Sequence, residues 1–289
     1  MKFWQSLSFT ETDQLVEVAK ICEEVGFEGV MVSDHLFHPG SFEKNYPYNE
    51  TGDPGFTADT PWPQAWTTIA AMAAVTSRLR FTTLIYILPL RDPIEVAKAT
   101  GTLGVLSNGR FALGAGAGWM REEFDIMGVD FATRGKRFDE SIEVCRKLWR
   151  GGMVEHHGEF FDFPELQMSP APAEPVPVWI GGVSNAALRR AGMRGDGWLG
   201  SGQTPEDALS MLAKIAAHRK AAGREREPFE AIVPLVTAPD PDAMKRLQDA
   251  GATGSVSYPF TYTVGPASTL DEKRAYLEGF AANVIEPFA

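Results

Sequence analysis

Residues 110–118 read Arg-Phe-Ala-Leu-Gly-Ala-Gly-Ala-Gly. A nearly continuous apolar run of this length predicts a β-strand that is buried on both faces, as the strands of a parallel sheet are. Its alternating glycines would let a flat ring or a phosphate approach the backbone closely, and tight packing inside a barrel accounts for them equally well. The run therefore predicts a parallel sheet, and the rest of the chain decides which kind.

Strand-like runs and helical patterns alternate about eight times along the chain. The strand-like runs are residues 2–9, 28–33, 80–88, 110–116, 176–181, 197–200, 229–236 and 254–258. Helix starts are marked by Asp92, Thr204 and Asp240, each directly before a proline, and by the capping box of Thr269 and Glu272. Repeated strand-helix units predict an α/β fold, and no glycine-rich dinucleotide fingerprint follows the first strand. We therefore expect a (β/α)8 TIM barrel.

Two segments interrupt the alternation. Residues 36–63, after the second strand, are rich in Gly, Pro, Asn, Asp and aromatic residues and predict a long irregular loop. Residues 151–175, between the fourth helix and the fifth strand, contain a hairpin-like run at 154–161 and a proline-rich connector. Long insertions usually act as lids or linkers, and we expect the first to cover a substrate. Because helix and strand signals resume beyond each insertion, we expect residues 1–289 to form a single domain.

Net charge and composition indicate which partners the protein can bind and where it is located. The formal net charge is −11, and a large negative field repels nucleic-acid backbones and anionic membranes, so we expect small-molecule partners. Cys22 and Cys145 fall on apolar faces of predicted helices, which predicts buried free thiols. The sequence has no signal-peptide pattern and no apolar stretch of membrane-spanning length, which predicts a cytoplasmic protein.

In a TIM barrel the active site lies at the carboxyl ends of the strands. The second strand ends in Asp34 and His35, and a histidine beside a carboxylate is suited to acid/base chemistry. A structurally hydrogen-bonded histidine is the alternative, and His38 makes a metal pair a weaker one. Ser184, at the start of the helix after the fifth strand, predicts an anion site, an N-cap or both.

Several motifs in a fixed order resemble the luciferase-like monooxygenase superfamily, and more narrowly its branch of coenzyme F420-dependent oxidoreductases. They are VSDHL at 32–36, ILPLRDP at 87–93, LSNGRFALGAGAGW at 106–119, GVDFATRG at 128–135, PVWIGG at 177–182 and GDGW at 195–198. The resemblance implies a TIM barrel with a deazaflavin or FMN lying across its mouth. It also implies a homodimer, and a flavin reductase or an F420-reducing dehydrogenase as the supplier of reducing equivalents.

The resemblance further implies roles for individual residues. Cofactor contacts are expected from Asp34, His35, Leu84, Ile85, Ile87, Ala117, Gly118, Glu122, Gly181, Gly182, Val183 and Ser184. His35 is expected to be the catalytic residue, donating or accepting a proton near the reacting ring. A cis peptide is expected near Leu84 and Ile85, and phosphate binding at the turn 182–184. Trp119 stands where sugar-phosphate dehydrogenase relatives have a catalytic glutamate, which disfavours a sugar-phosphate substrate.

The leading hypothesis is hydride transfer between coenzyme F420 and a small organic substrate, with His35 as proton donor or acceptor. Helix N-termini and Arg91 or Arg189 are expected to balance the negative charge of the cofactor. One alternative is an FMN-dependent monooxygenase supplied by a separate reductase. A second is a metal-dependent barrel hydrolase that uses His35 and His38, and a third is a cofactor-binding protein without activity.

Overall fold

The structure is a computed structural model, and it describes residues 1–238 and 240–288. The strands, in chain order, are β1 (Lys2–Ser6), β2 (Gly29–Val32), β3 (Arg80–Thr83), β4 (Tyr86–Ile87), β5 (Phe111–Gly116), β6 (Met153–His157), β7 (Asp162–Gln167), β8 (Val178–Gly181), β9 (Gly197–Leu199), β10 (Glu230–Val233) and β11 (Gly254–Ser257). Parallel pairing gives the order β3-β2-β1-β11-β10-β9-β8-β5, and pairing of β3 with β5 closes the ring. The predicted TIM barrel is confirmed.

All eight predicted barrel strands are present, and most end earlier than the apolar pattern predicts. The first, for example, stops at Ser6 rather than Phe9. The third is divided into β3 and β4 by Leu84 and Ile85, whose peptide bond is cis as expected. These shortened carboxyl ends free the backbone from the sheet, so that residues just beyond the strands turn into the mouth of the barrel.

Helices fill the connections between strands. They are α1 (Leu15–Glu24), α2 (Ala65–Ala74), α3 (Pro93–Leu106), α4 (Arg121–Ile126), α5 (Arg134–Trp149), α6 (Asn185–Arg194), α7 (Pro205–Ala221), α8 (Pro241–Asp249), α9 (Phe260–Thr263) and α10 (Leu270–Phe280). The predicted N-caps Asp92, Thr204 and Asp240 each accept a hydrogen bond from a backbone amide in the first turn. The capping box of Thr269 and Glu272 is complete.

Two groups of side chains close the barrel towards the amino-terminal ends of its strands. Apolar side chains fill its interior, namely Trp4, Met31, Ala112, Trp179, Leu199 and Ile232. Below them Arg80 lies over the rings of Trp4 and Trp179, with its guanidinium carbon 5.5 and 5.4 Å from their centroids. Arg80 also pairs with Glu28 and Glu230, 2.9 and 3.3 Å away. The amino-terminal end is thus plugged, which leaves the carboxyl end for a ligand.

The two predicted insertions differ in character. Residues 33–64, all described, contain neither helix nor strand and extend over the barrel mouth. The second insertion forms the antiparallel hairpin β6–β7, as predicted, and packs against α5. Glu140 of α5 stabilises the turn of this hairpin, because its carboxylate accepts hydrogen bonds from the amides of residues 159–161.

The expectation that both cysteines are buried free thiols also finds a structural counterpart. Cys22 and Cys145 are both free and buried. Within residues 1–238 and 240–288, no helix combines the length and apolar character needed to cross a membrane.

Candidate active site

A cavity of about 880 Å³ opens at the carboxyl ends of the barrel strands. Small-molecule sites typically measure about 300–1,000 Å³. Its lining includes Asp34, His35, Leu84, Ile85, Ile87, Ala117, Gly118, Gly181, Gly182, Val183 and Ser184. Glu122 does not line the cavity, and its carboxylate accepts a hydrogen bond from the Glu43 amide at 2.9 Å. The fold therefore brings the predicted cofactor-contacting residues together, with Glu122 as the exception.

His35 is held by a carboxylate that the sequence reasoning missed. Its Nδ1 lies 2.9 Å from Oε2 of Glu123, and the other oxygen of Glu123 accepts the Leu36 amide at 3.0 Å. The side chain of Glu123 is 0% exposed. In its carboxylate form Glu123 can only accept hydrogen bonds, so Nδ1 of His35 is then the donor in this pair. The Nε2 atom is therefore the nitrogen left free for proton transfer.

Helical spacing was the signal that could have distinguished Glu123 from its neighbour. Met120 and Phe124 are both fully buried, and Glu123 lies between them on the same inward face. Positions three and four apart share a face, so Glu122 is turned away from the barrel. A glutamate on the apolar face of a short helix at a barrel mouth indicates a partner in the site.

Asp34 is also buried, and its carboxylate is fully engaged. It accepts hydrogen bonds from Nη2 of Arg91 at 2.9 and 3.0 Å and from the Ile87 amide at 3.0 Å. Burial raises the pKa of Asp34 above its ordinary value, while the Arg91 guanidinium and the Ile87 amide act in the opposite direction. Asp34 therefore fixes the end of β4 beside His35, and Arg91 neutralises Asp34 rather than a ligand.

An aromatic wall, formed by Phe9, Phe56, Trp62 and Trp119, surrounds the imidazole of His35. The ring centroids of Phe56, Trp62 and Trp119 lie 5.0, 4.9 and 6.1 Å from that of His35. Phe9 packs edge-on against Trp62 at 5.5 Å. Two of these residues come from the long loop after β2, whose aromatic content thus contributes to the cavity. The wall excludes water from the side of His35 that faces the loop.

Ile85, which lines the cavity, covers the glycine backbones at the ends of two strands. A Cβ atom added at Gly116 or Gly181 would overlap the side chain of Ile85, which packs directly on both backbones. The tips of β4, β5 and β8 therefore make a smooth surface around the cis peptide between Leu84 and Ile85. Such a surface suits a flat ring, which would lie on Leu84 and Ile85.

The start of α6 provides hydrogen-bond donors for an anion. Gly182 has a φ of +112°, a conformation that favours glycine, and it leads into Ser184. Ser184 is the N-cap and accepts the Ala187 amide at 3.2 Å. The first amides of a helix have no partner within it and carry the positive end of its dipole, so this turn fits a phosphate. The N-cap and anion-site interpretations of Ser184 are compatible.

Two arginines line the cavity at this end, and they are not those expected. Arg134 donates to carbonyl oxygens of Gly118 and Phe131, and Arg190 pairs with Asp139 at 2.7 Å. Arg189 is exposed and does not line the cavity. The charge that balances an anion here would come from Arg134 and the helix start, because Arg91 is committed to Asp34 and Arg190 to Asp139.

The histidines outside this arrangement do not form a metal site. The ring of His38 packs against Phe42 and Phe56, with centroids 5.3 and 5.9 Å away. Within the described residues no group of three or more His, Cys, Asp and Glu side chains is placed to hold a metal ion. His156 and His157 belong to the β6–β7 hairpin, outside the cavity.

Comparison with known proteins gives a consistent result. A sequence profile of the luciferase-like monooxygenase family matches residues 4–283. An uncharacterized protein of Mycobacterium tuberculosis is 39% identical over 99% of this chain and 99% of its own length. The F420-dependent glucose-6-phosphate dehydrogenase of Amycolatopsis mediterranei is 31% identical over 81% of this chain and 68% of its own. The crystal structure of a monooxygenase from Streptomyces bottropensis superposes with a TM-score of 0.78 and 19% identity, covering 100% of both chains.

Proposed function

Because this chain belongs to the luciferase-like monooxygenase family, we propose that it is an oxidoreductase that transfers a hydride between coenzyme F420 and a small organic substrate. A relative named as an F420-dependent dehydrogenase, 31% identical over 81% of this chain, supports the choice of cofactor. The pairing of His35 with the buried Glu123 in the same cavity as the anion-binding turn carries the proposal.

The cavity fits a tricyclic ring with a phosphate-bearing tail. The surface at Leu84 and Ile85 would take the ring, because both residues line the cavity and Gly116 and Gly181 let Ile85 lie directly against the strand ends. The turn from Gly182 to Ser184 would hold the phosphate through the unpartnered amides at the start of α6. Asp34 would support the ring indirectly, by fixing the backbone at Ile87.

In the proposed reaction the protein handles the proton. When bound, the cofactor supplies or accepts the hydride. Nε2 of His35 gives a proton to the substrate oxygen during reduction, or takes it during oxidation, while Glu123 holds the opposite side of the ring. Glu123 also stabilises the imidazolium that forms when Nε2 gains a proton. The aromatic wall keeps water from the reacting atoms.

Cofactor titration tests the proposal directly. Purified protein is titrated with F420 and, separately, with FMN, and intrinsic tryptophan fluorescence is followed. We expect saturable quenching by F420, and Gly182→Val should weaken it because a branched side chain is strained at this φ and crowds the turn. Gly223→Ala, whose glycine is remote from the cavity, serves as the control. Tight binding of FMN without any response to F420 overturns the choice of F420.

That outcome would favour an FMN-dependent monooxygenase, our second candidate. The aromatic wall favours it as well, since exclusion of water also protects an oxygen-reactive flavin. A separate reductase would then supply reduced flavin, whereas an F420-reducing dehydrogenase would serve the first candidate. Transfer of an oxygen atom from labelled O2 into a product, with chemically reduced FMN as the reductant, distinguishes the two. We further propose that the chain acts as a homodimer, which sedimentation tests.

A further inference from the structure

Tyr48 brings a side-chain hydroxyl from the long loop after β2 to the start of α6. A Cβ atom added at Gly182 would lie 3.5 Å from Oη of Tyr48, so the phenol oxygen lies directly beside the backbone of the anion-binding turn, residues 182–184. Both Tyr48 and this turn line the cavity. The loop that begins beside His35 therefore reaches the opposite end of the proposed site.

The hydroxyl of Tyr48 is a donor that the protein leaves unused. It makes no hydrogen bond with any residue in the described part of the chain. Burial raises the pKa of Tyr48 above its ordinary value, so the phenol keeps its hydrogen at neutral pH and can donate it. Because Tyr48 lines the cavity, this donor is available to a bound molecule.

The segment that carries Tyr48 is held in shape by local contacts. The Tyr46 amide donates to the carbonyl oxygen of Gly52 at 2.9 Å, and Gly52 has a φ of +68°, a conformation that favours glycine. The ring of Tyr48 packs edge-on against that of Tyr46 at 5.2 Å, and Tyr46 packs against Trp119 of the aromatic wall, also at 5.2 Å. These contacts limit the positions that the Tyr48 hydroxyl can take.

A phosphate at the anion-binding turn has oxygens for a further donor. A terminal phosphate presents three strongly accepting oxygens, whereas the unpartnered amides come from a single helix start. Of the arginines that line the cavity, Arg190 is paired with Asp139 at 2.7 Å, and Arg134 donates to two backbone carbonyl oxygens. Tyr48 belongs to a separate element, so its hydroxyl can bind an oxygen that the helix does not use.

We propose that Tyr48 is a ligand-binding residue whose hydroxyl donates a hydrogen bond to a phosphate group held at the anion-binding turn. The loop after β2 then contributes at both ends of the cavity, with Phe56 and Trp62 beside His35 and with Tyr48 at the phosphate. A molecule without the phosphate loses the contact with Tyr48 and keeps the others. This inference rests on the proposed function in one respect, namely that the bound molecule is a phosphorylated cofactor.

Two pairs of compounds that differ at the phosphate test the inference. FMN is riboflavin with a terminal phosphate, and F420 carries a phosphate where 8-hydroxy-5-deazariboflavin ends in a hydroxyl. Dissociation constants are measured by fluorescence titration on wild-type protein, Tyr48→Phe and Tyr262→Phe. We expect wild-type protein to prefer the phosphorylated member of the pair that binds, and Tyr48→Phe to reduce this preference about 5- to 50-fold. Affinity for the other member should stay within about twofold, since the phenyl ring is retained.

Tyr262→Phe is the matched control, because it removes the same group from another part of the cavity. Tyr262 lines the cavity and packs against Phe9 of the aromatic wall at 6.0 Å, and a Cβ atom added at Gly55 would lie 3.3 Å from its hydroxyl. This variant should keep the wild-type preference for the phosphorylated compound. An unchanged preference in Tyr48→Phe, an equal loss in Tyr262→Phe, or no preference in wild-type protein overturns the inference.

Inorganic phosphate separates this inference from the proposed function. Its binding to the same three proteins is followed by 31P NMR line broadening without any cofactor. Phosphate binding that is weaker in Tyr48→Phe alone, together with no binding of F420 or FMN, supports the inference and overturns the proposed function. Cofactor binding with the same phosphate preference in wild-type protein and Tyr48→Phe overturns the inference alone. Binding of neither cofactor nor phosphate overturns both.

Discussion

Nδ1 of His35 and Oε2 of Glu123 are 2.9 Å apart, although 88 positions separate the two residues in the chain. His35 follows β2 and Glu123 lies on α4, so the contact exists because β2 and β5 end at the same side of the barrel. A carboxylate at this position determines which imidazole nitrogen carries hydrogen and which faces the cavity. Glu123 is therefore a positioning residue, and His35 is the proposed catalytic one.

Glu123→Gln should weaken this arrangement without removing bulk. The glutamine amide can donate to Nδ1, which favours the tautomer with hydrogen on Nε2. We expect kcat/KM to fall about 10- to 100-fold, less than for loss of the imidazole itself. The 15N shifts of the His35 ring report the tautomer independently of activity. Unchanged ring shifts together with unchanged kinetics would show that Glu123 does not position His35.

His35→Ala should remove the proton donor or acceptor. We expect kcat to fall about 100- to 10,000-fold, a larger loss than any in cofactor affinity. His157→Ala is the matched control, because His157 is exposed on the hairpin and outside the cavity. Steady-state kinetics and cofactor titration are compared for both variants. Retained turnover in His35→Ala would assign proton transfer to another group.

Gly116→Ala should disturb the packing of Ile85. A Cβ at Gly116 would overlap Cδ1 of Ile85, and overpacking typically lowers the free energy of unfolding by about 1–3 kcal/mol. Ile85→Val removes that terminal carbon, so the double variant should recover part of the loss. Gly279→Ala, where no atom is near the added Cβ, should not lower stability. Urea unfolding is measured on wild-type protein, Gly116→Ala, the double variant and Gly279→Ala. A double variant no more stable than Gly116→Ala would contradict this packing account.

Glu23 should make stability depend on pH. Burial raises its pKa, but hydrogen bonds from Ser77, Arg78 and Leu79 outweigh burial and lower the pKa from 4.5 to about 2. A lowered carboxyl pKa gives stabilisation that is complete above pH 4.5 and is lost as the pH falls towards about 2.

The test compares wild-type protein with Glu23→Gln by urea unfolding at several pH values. At pH 7 the variant should be less stable by about 1–2 kcal/mol, because it cannot accept all of these hydrogen bonds as a charged group. The difference should shrink between pH 4.5 and pH 3. A difference that stays constant with pH would show that ionisation of Glu23 is not responsible.

Much of the fold and part of the site could be predicted from local pattern. The apolar runs predicted every barrel strand, and Asp92, Thr204 and Asp240 cap helices where their prolines indicated. These features depend on spacings of a few residues, which are visible in the chain itself. The residues at strand ends could be predicted for the same reason, since a parallel barrel gathers those ends on one side.

Contacts made by loops and by short helices could not be predicted in this way. The sequence suggested Glu122 as a cofactor contact, whereas the fold turns Glu123 inward and leaves Glu122 to bind the Glu43 amide. Trp62 likewise becomes a neighbour of His35 only through the path of the loop after β2.

The sequence by itself determined the strand-helix alternation, the cap positions and the residues available at each strand end, because periodicity and capping act over three or four positions. The tertiary structure alone decided which carboxylate meets His35, which arginine is left near the anion-binding turn and which donors lack a partner. Those outcomes depend on how segments far apart in the chain approach each other, and no local pattern encodes that approach.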